Sequence, residues 1–569
     1  MSSNNRILIS LLLLLWQLIP GLAVAAPTDA ATNAVTKEQM DRGSQLYANY
    51  CYLCHQPGGQ GIPQVFPPLA KSDFLAADKE RSIRILITGL NGAITVRSNV
   101  YNGVMPPAPY DAQQLSDVLT FVHNSFGNSN GPVTLQQVEK VRAQLSASGF
   151  VAEQCPYAPL PPAPEGFTLR EVVRMPNHPT RMASDGQGRV LYILCENGDV
   201  WHVDLPGGAL RRVLSGEDYA SPQGGHVTCV GLMLDAQHRL YIVVNYLREL
   251  QPYVTDEVTI YRTTAERDGD PAEPRPWLQT SYPWGVGPFN HSVGNIAAGP
   301  DGFVYVTSGA RTDDNEPGED TRYSKQGETP ITSCFWRLDP RAEKPEIEIF
   351  ARGVRNPYGF CWNNRGEMFA TENGPNADAP EELNQIKRGG HYGFPYQFSN
   401  WTNKPYAYTP DAPPGLKITL PIANFGPAAG GSAEKPLFTF DPHSSPGGIV
   451  YLGDDFPAGY RGTFLATRFG NLLKCSPDVG FDLLQIKLTK NKAGIYESHV
   501  KQLLFPLARP IDVHLAGKGK IYICEYTRVL DNSGLVPMMP GRVLELAVQK
   551  KPSFGEAPST NIQAPEKHQ

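Results

Sequence analysis

The chain of 569 residues carries 50 Lys and Arg against 56 Asp and Glu, a net charge of −6, so no basic surface argues for nucleic acid as a partner. Its 54 glycines and 52 prolines, with charged residues at 19% and aromatics at 10%, suit a turn-rich β protein. The length accommodates three or four average domains, although large β folds run long as single units.

The first residues carry a targeting pattern. Arg6 gives a positive start, residues 7–19 are apolar but short for a bilayer span, and Ala23-Val24-Ala25 offers a small-residue cleavage site. Residues 1–25 therefore read as a signal peptide, with an uncleaved anchor as the alternative. The mature chain is expected to be periplasmic or secreted, with no membrane span of its own.

Cys51-Tyr52-Leu53-Cys54-His55 follows a predicted helix over 37–50. Two thiols at this spacing lie on one side of a helical turn and can add across the vinyl groups of a porphyrin, while the adjacent imidazole meets the iron. A structural disulfide or half of a zinc site is the competing reading, but no second Cys or His pair follows at finger spacing. The sixth ligand is expected at Met105, in the Gly- and Pro-flanked stretch Tyr101-Asn102-Gly103-Val104-Met105-Pro106-Pro107. A thioether is a soft ligand that raises a haem potential; the alternative is a core methionine. Further helices are predicted over 79–88, 112–126 and 134–147.

With those motifs and helices, residues 36–126 resemble class I cytochromes c. The run Gly61-Ile62-Pro63-Gln64-Val65-Phe66-Pro67-Pro68-Leu69-Ala70 is similar to the haem-edge loop in cytochrome partners of quinoprotein dehydrogenases. The expected organisation is a small all-α cytochrome c domain over 36–150, then a Pro-rich linker over 151–165 containing Ala158-Pro159-Leu160-Pro161-Pro162-Ala163-Pro164.

From residue 166 to 550 one pattern recurs: apolar strand, Asp/Asn/Gly turn, apolar strand. Its copies begin at Met182, Leu232, Ile296, Phe360, Ile449 and Val513. Six such hairpins point to an all-β six-bladed propeller, one hairpin per blade, against a β-sandwich pair as the alternative. A strand over 542–547 is expected to close the ring, and residues 551–569 to form a disordered tail. Seven cysteines lie outside the haem motif, and in an oxidising compartment some are expected to pair.

Ahead of each hairpin stands a cation or an imidazole: Arg181, His226, His291, Arg355, His443 and Arg509. In a propeller the start of each inner strand reaches one common mouth. Six such groups together would be costly without an anionic partner, and guanidinium forks bind carboxylates in bidentate fashion. Two further stretches are distinctive. One is Gly353-Val354-Arg355-Asn356-Pro357-Tyr358-Gly359. The other runs Glu372-Asn373-Gly374-Pro375-Asn376-Ala377-Asp378 through Glu381-Glu382-Leu383-Asn384. Carbonyls of a Gly-Pro loop beside acidic residues make a plausible Ca²⁺ site.

With His443-Ser444-Ser445-Pro446-Gly447-Gly448 and Arg509-Pro510-Ile511-Asp512-Val513, this part of the chain resembles the quinoprotein glucose/sorbosone dehydrogenase family, its sorbosone-like branch most closely. The resemblance implies pyrroloquinoline quinone and Ca²⁺ at the propeller mouth. By position it makes His291 the general base, puts Arg355 and Asn356 at the quinone oxygens, and assigns Gly374 and Pro375 to Ca²⁺. Arg509 and Arg468 would hold the cofactor carboxylates, and His226 falls where the glucose enzymes place a substrate-binding glutamine. The chain departs from those enzymes at Asn290, where they have an acid, at Gly309-Ala310, where they have Gly-Asp, and at Ile511, where they have a second basic residue. Asp313 or Asp314 is the expected substitute for the missing acid.

The implied activity is oxidation of a sugar or sugar-derived hydroxyl or aldehyde. Electrons would pass to the Cys51/Cys54 haem and then to an external cytochrome, copper protein or oxidase. The alternatives are a carbohydrate-binding propeller fused to a cytochrome without quinone chemistry, and a haem enzyme using the propeller as scaffold.

Overall fold

The computed structural model describes residues 35–62, 66–105, 108, 110, 112–147, 159–205, 207–220, 226–249, 254–285, 290–315, 327–375, 377–471, 479–527 and 540–549. The expected signal peptide, most of the linker, the tail, Cys155 and Cys475 lie outside them. Among the described residues no helix is long and apolar enough to cross a membrane, and seven cysteines are free, Cys51 and Cys54 among them.

The N-terminal unit is helical. Helix Lys37–Leu46 starts where the Thr36 hydroxyl accepts from the Gln39 N–H, satisfying one of the donors that a helix start leaves orphaned. It runs through one wider turn, Tyr47–Cys51, into Tyr52–His55. Helices Lys79–Thr88, Ala112–Asn124 and Leu135–Ala147 follow. They bury Ile83, Leu115, Val118, Val133, Val138 and Val141 in one core. Helices Lys37–Leu46 and Ala112–Asn124 meet at Gly43, where a Cβ would stand 2.2 Å from the Asp117 carbonyl oxygen. Beside that contact Arg42 grips the buried Asp117 carboxylate.

Met105 departs from its expected place on a loop. It ends the strand Asn99–Met105, which pairs with Leu90–Val96 so that Leu90 faces Met105. The hairpin turns at Arg97-Ser98, both left-handed, as a two-residue hairpin turn requires. Asp73 supports the turn by accepting the Arg97 N–H. No Gly or Asn marks that turn, so the alternating β-branched residues around it were hidden behind the Gly/Pro signal further on.

The rest of the chain is a six-bladed propeller. Each blade begins with an inner strand: Pro179–Ser184, His226–Leu234, Val293–Ala298, Pro357–Trp362, Pro446–Tyr451 and Pro510–Leu515. Every inner strand touches the next, and the sixth touches the first, so the ring is closed. The six expected hairpins are the first two strands of the six blades. Near the start of each inner strand the pairing register slips. Such bulges re-aim side chains and are frequent beside functional sites.

Closure differs from expectation. Strand Pro540–Val548 is only the third strand of the last blade. The outermost strand is Phe167–Arg174, from the start of the propeller, paired antiparallel with it. Both ends of the propeller chain are thereby held in one sheet. The two units also share an apolar joint, in which Leu247, Val254 and Trp284 of the propeller's second blade and its exit join the helical core that contains Cys51 and Tyr52.

Gly43→Ala forces a methyl group against backbone at the helix crossing. The substitution is expected to cost about 1–3 kcal/mol and to lower the thermal midpoint of the helical unit, read from helix circular dichroism.

Candidate active site

Two cavities among the described residues bear on the expected sites. The first lies in the helical unit. Cys51, Cys54, His55 and Met105 all line it, among mainly apolar side chains. Burial pushes the Cys51 thiol up to about 12 and the Cys54 thiol up to about 11, so both are neutral thiols and neither is bonded to the other. His55 Nδ1 donates to the Pro67 carbonyl at 2.9 Å. That bond fixes the tautomer and leaves Nε2 as the bare nitrogen, as a metal-binding imidazole requires. Two thiols, a bare imidazole nitrogen and a thioether around an apolar slot fit a covalently attached haem.

The second cavity opens where the second, third and fourth inner strands begin. His291, Asn290 and Ser292 line it from the third blade, Asn356, Pro357 and Tyr358 from the fourth, and Thr228 and Val230 from the second. Tyr52, from the haem-motif turn, completes the wall beside Trp284.

His291 is held by backbone. Its N–H donates to the Ala310 carbonyl at 2.9 Å, and the Ala310 N–H donates to the Arg355 carbonyl at 2.6 Å. Gly309 in turn donates to the Ser292 carbonyl, and a Cβ there would stand 2.5 Å from the His291 Cβ. These bonds hold the His291 main chain, and the two acids expected to orient its ring are engaged elsewhere. Asp313 is ion-paired with Arg355, and Asp314 accepts from the Thr409 hydroxyl at 2.6 Å. Burial, and then the nearby Arg355 charge, hold the His291 imidazole well below its ordinary value, so it is neutral at pH 7 and able to accept a proton.

Cavity-lining residues also carry buried polar atoms without a hydrogen-bond partner: His291 Nε2, Asn290 Oδ1 and Tyr358 Oη. Leaving such atoms unmet costs about 1–3 kcal/mol each, so a polar ligand fits here. Behind them Asp256 is fully buried. Its Oδ2 accepts from Tyr282 Oη at 2.7 Å and Asn290 Nδ2 at 3.3 Å, and burial pushes the carboxyl up to about 6. Asp256 thus supports Asn290, the residue before His291, from a neighbouring blade.

Of the residues expected at one mouth, His291 lines this cavity; the expected cations are met largely by the protein's own carboxylates. Arg181 pairs with Asp512 at 3.1 Å, donates to Val230 and Tyr358 carbonyls, and stacks on the Tyr358 ring. Arg355 pairs with Asp313 and donates to the Asn373 carbonyl. Arg468 holds Asp482 bidentately and Asp441 with its remaining nitrogen. His443 sits 2.9 Å from the exposed Asp378. Arg509 is buried between Phe469 and Phe481 and donates to the Asn471 carbonyl. A polyanion is therefore not required to offset this ring, contrary to the expectation from charge alone. His226 heads the second inner strand, and its side chain is outside the described part.

Gly374 and Pro375 follow the fourth blade's second strand, Met368–Glu372. The Ala379 and Pro380 carbonyl oxygens stand 3.5 Å from where a Gly374 Cβ would be, and Asn373 Oδ1 is buried without a partner. This oxygen-rich loop fits a hard cation such as Ca²⁺. Among the described residues no group of three or more His, Cys, Asp or Glu is poised for a metal. Glu372 and Glu382 are turned inward and bridged by the Asn384 amide. Burial pushes Glu381 up to about 8 and Glu382 up to about 7.

Tyr52, Trp284, Tyr358 and Asp256 were not singled out by sequence. Tyr52 lies inside the haem motif, where attention goes to the ligands, and Asp256 is too far along the chain from His291 to be associated with it.

Two outcomes follow from this geometry. The His291 imidazole is expected to titrate well below 6.5 by NMR, and to move back up in Arg355→Met, which removes a neighbouring positive charge. Since the unfolded chain takes up this proton near 6.5, the site's contribution to stability is present above that pH and is lost as pH falls toward the folded value. In Gly309→Ala the added methyl displaces His291, and the loss of its dispersed chemical shift from the native position reports it.

Residues 176–525 match the glucose/sorbosone dehydrogenase family, and residues 40–125 match cytochrome c. A cytochrome c-552 of Thermus thermophilus is 38% identical over 123 residues, 20% of this chain and 93% of its own. Quinoprotein glucose dehydrogenase B of Acinetobacter calcoaceticus is 22% identical over 271 residues, 43% of this chain and 55% of its own. Among solved structures, the PQQ-bound form of aldose sugar dehydrogenase from Streptomyces coelicolor is 19% identical, with a TM-score of 0.47, covering 68% of this chain and 100% of that one. The chain belongs to the glucose/sorbosone dehydrogenase family of oxidoreductases and carries a cytochrome c domain ahead of its propeller.

Proposed function

We propose that the chain is a periplasmic, pyrroloquinoline quinone-dependent dehydrogenase that oxidises a sugar or sugar-derived hydroxyl or aldehyde. Its electrons leave through its own haem c to an external cytochrome, copper protein or oxidase. The observation that carries this reading is one cavity bounded by His291 and Asn356 on the propeller and by Tyr52 of the haem-motif turn.

The bound quinone would supply an electrophilic carbonyl carbon for hydride, with Ca²⁺ polarising it. The chain's own groups do the rest. The neutral His291 takes the proton from the reacting hydroxyl oxygen, which makes hydride departure easier. Asn356 stands at the cavity wall to donate to a quinone oxygen, and Arg355, fixed behind it by Asp313, supports negative charge there. Gly374 and Pro375 offer carbonyl oxygens to Ca²⁺. Arg509 is the arginine we assign to the cofactor carboxylates. Arg181 and Arg468, engaged by Asp512 and by Asp482 and Asp441, act from behind, with His226 and His443 at the rim. In the cytochrome domain Cys51 and Cys54 form the thioether links, and His55 and Met105 are the iron ligands.

Holding the oxidised haem protein with Ca²⁺ and pyrroloquinoline quinone, then adding aldoses, is expected to give the reduced haem spectrum only when the quinone is present. His291→Ala is expected to lose sugar-driven reduction by roughly 10²–10⁴-fold while dithionite still reduces the haem. Failure to take up quinone would instead favour a carbohydrate-binding propeller fused to a cytochrome.

A further inference from the structure

We propose that Tyr52 is the residue that couples the dehydrogenase cavity to the haem crevice, its ring forming the contact across which electrons pass; this rests on the dehydrogenase reading above. Cys51 and Cys54 line the haem crevice, whereas Tyr52, between them in sequence, lines the propeller cavity. Helical geometry accounts for the division. At about 100° per residue Tyr52 points some 100° away from Cys51 and about 160° from Cys54, so the ring and the two thiols leave the turn in different directions. A single turn of chain, Tyr52–His55 with Cys51 capping it, thus has one side in each cavity.

The joint is also packed. Tyr52 is 6% exposed, and it belongs with Cys51 to the apolar cluster that Leu247, Val254 and Trp284 of the propeller complete. Trp284 lines the same cavity wall as Tyr52. Close-packed side chains hold the two units at a fixed separation. Tyr52 is one peptide bond from a haem-bearing thiol, so its ring extends the covalent edge of the haem site to the dehydrogenase wall.

The electron count is simple. Oxidation of the alcohol to the carbonyl removes two electrons and two protons: a hydride, which a bound quinone would accept, and the hydroxyl proton, which His291 takes. Each crossing at Tyr52 would move one electron, a one-electron reduction of a bound ferric haem. The external acceptor reoxidises the iron between the two crossings, and the two protons go to water.

The test compares the intact protein with Tyr52→Phe and Tyr52→Ala, each carrying haem, quinone and Ca²⁺. Two rates are measured anaerobically after sugar is added: reduction of the haem, and reduction of a soluble dye by the quinone. The ratio of haem rate to dye rate is expected to fall roughly tenfold or more in Tyr52→Ala, equivalent to about 1.4 kcal/mol of barrier, and to be kept in Tyr52→Phe, which retains the ring. A second readout needs no turnover. Adding quinone without sugar is expected to slow hydrogen exchange of the 51–56 amides in the intact protein but not in Tyr52→Ala. An unchanged ratio in Tyr52→Ala overturns the assignment while leaving the dehydrogenase reading in place. Absence of both rates in the intact protein overturns that reading instead. Should Tyr52→Ala fail to take up haem, Tyr52→Leu keeps the bulk without the aromatic ring, with the same expected loss and the same overturning result.

Discussion

The pairing of Phe167–Arg174 with Pro540–Val548 is the constraint on which the site depends. Six blades form a mouth only if the ring stays shut, because the residues that matter come from the starts of inner strands in different blades. His291, Asn356 and Thr228 meet across one cavity although they are distant in sequence. Were the last blade left open, those strand starts would spread and the cavity would lose its walls. The repeated slip of register near the start of every inner strand then turns side chains at the mouth toward the axis.

Electrostatics at the mouth follows a consistent rule. Buried guanidinium groups are tolerable only when paired and hydrogen-bonded, and Arg181, Arg355 and Arg468 each have a carboxylate partner. This leaves the cavity wall lined by neutral polar groups rather than by bare cations. It also bears on His291: burial and then the nearby Arg355 keep its imidazole unprotonated, while the Arg355 charge is met by Asp313. The backbone ladder through Ala310 holds the main chain at His291 against the start of the fourth blade.

Much of this architecture was legible in the chain itself. The haem motif is local, so Cys51, Cys54 and His55 need no fold to be recognised. The six hairpins announce themselves through Asp and Gly turns between apolar strands, whereas of the six residues ahead of them only His291 lines the propeller cavity among the described side chains. What escaped depends on long-range meetings. Asp512 pairs with Arg181 from 331 positions away, and no pattern in sequence links them. Strand 167–174 looks like the beginning of a first blade, and only the folded ring makes it the end of the last. The Arg97-Ser98 turn lacks the Gly or Asn that usually marks a hairpin, and Asp256 reaches the base-bearing turn only because a neighbouring blade carries it there.

Closure by the first propeller strand sets an order on biosynthesis. Segment 167–174 leaves the ribosome before any blade is complete, yet its partner at 540–548 comes nearly last. For most of chain synthesis the circle lacks the strand that would seal it, while everything the cytochrome unit needs is already made. Domains tend to fold in the order they emerge, so the thiols of the haem motif are presented to the attachment machinery on a unit not yet roofed by the propeller. The apolar joint around Trp284 then forms over a helical unit that has already folded, so the second unit is built onto a finished surface of the first.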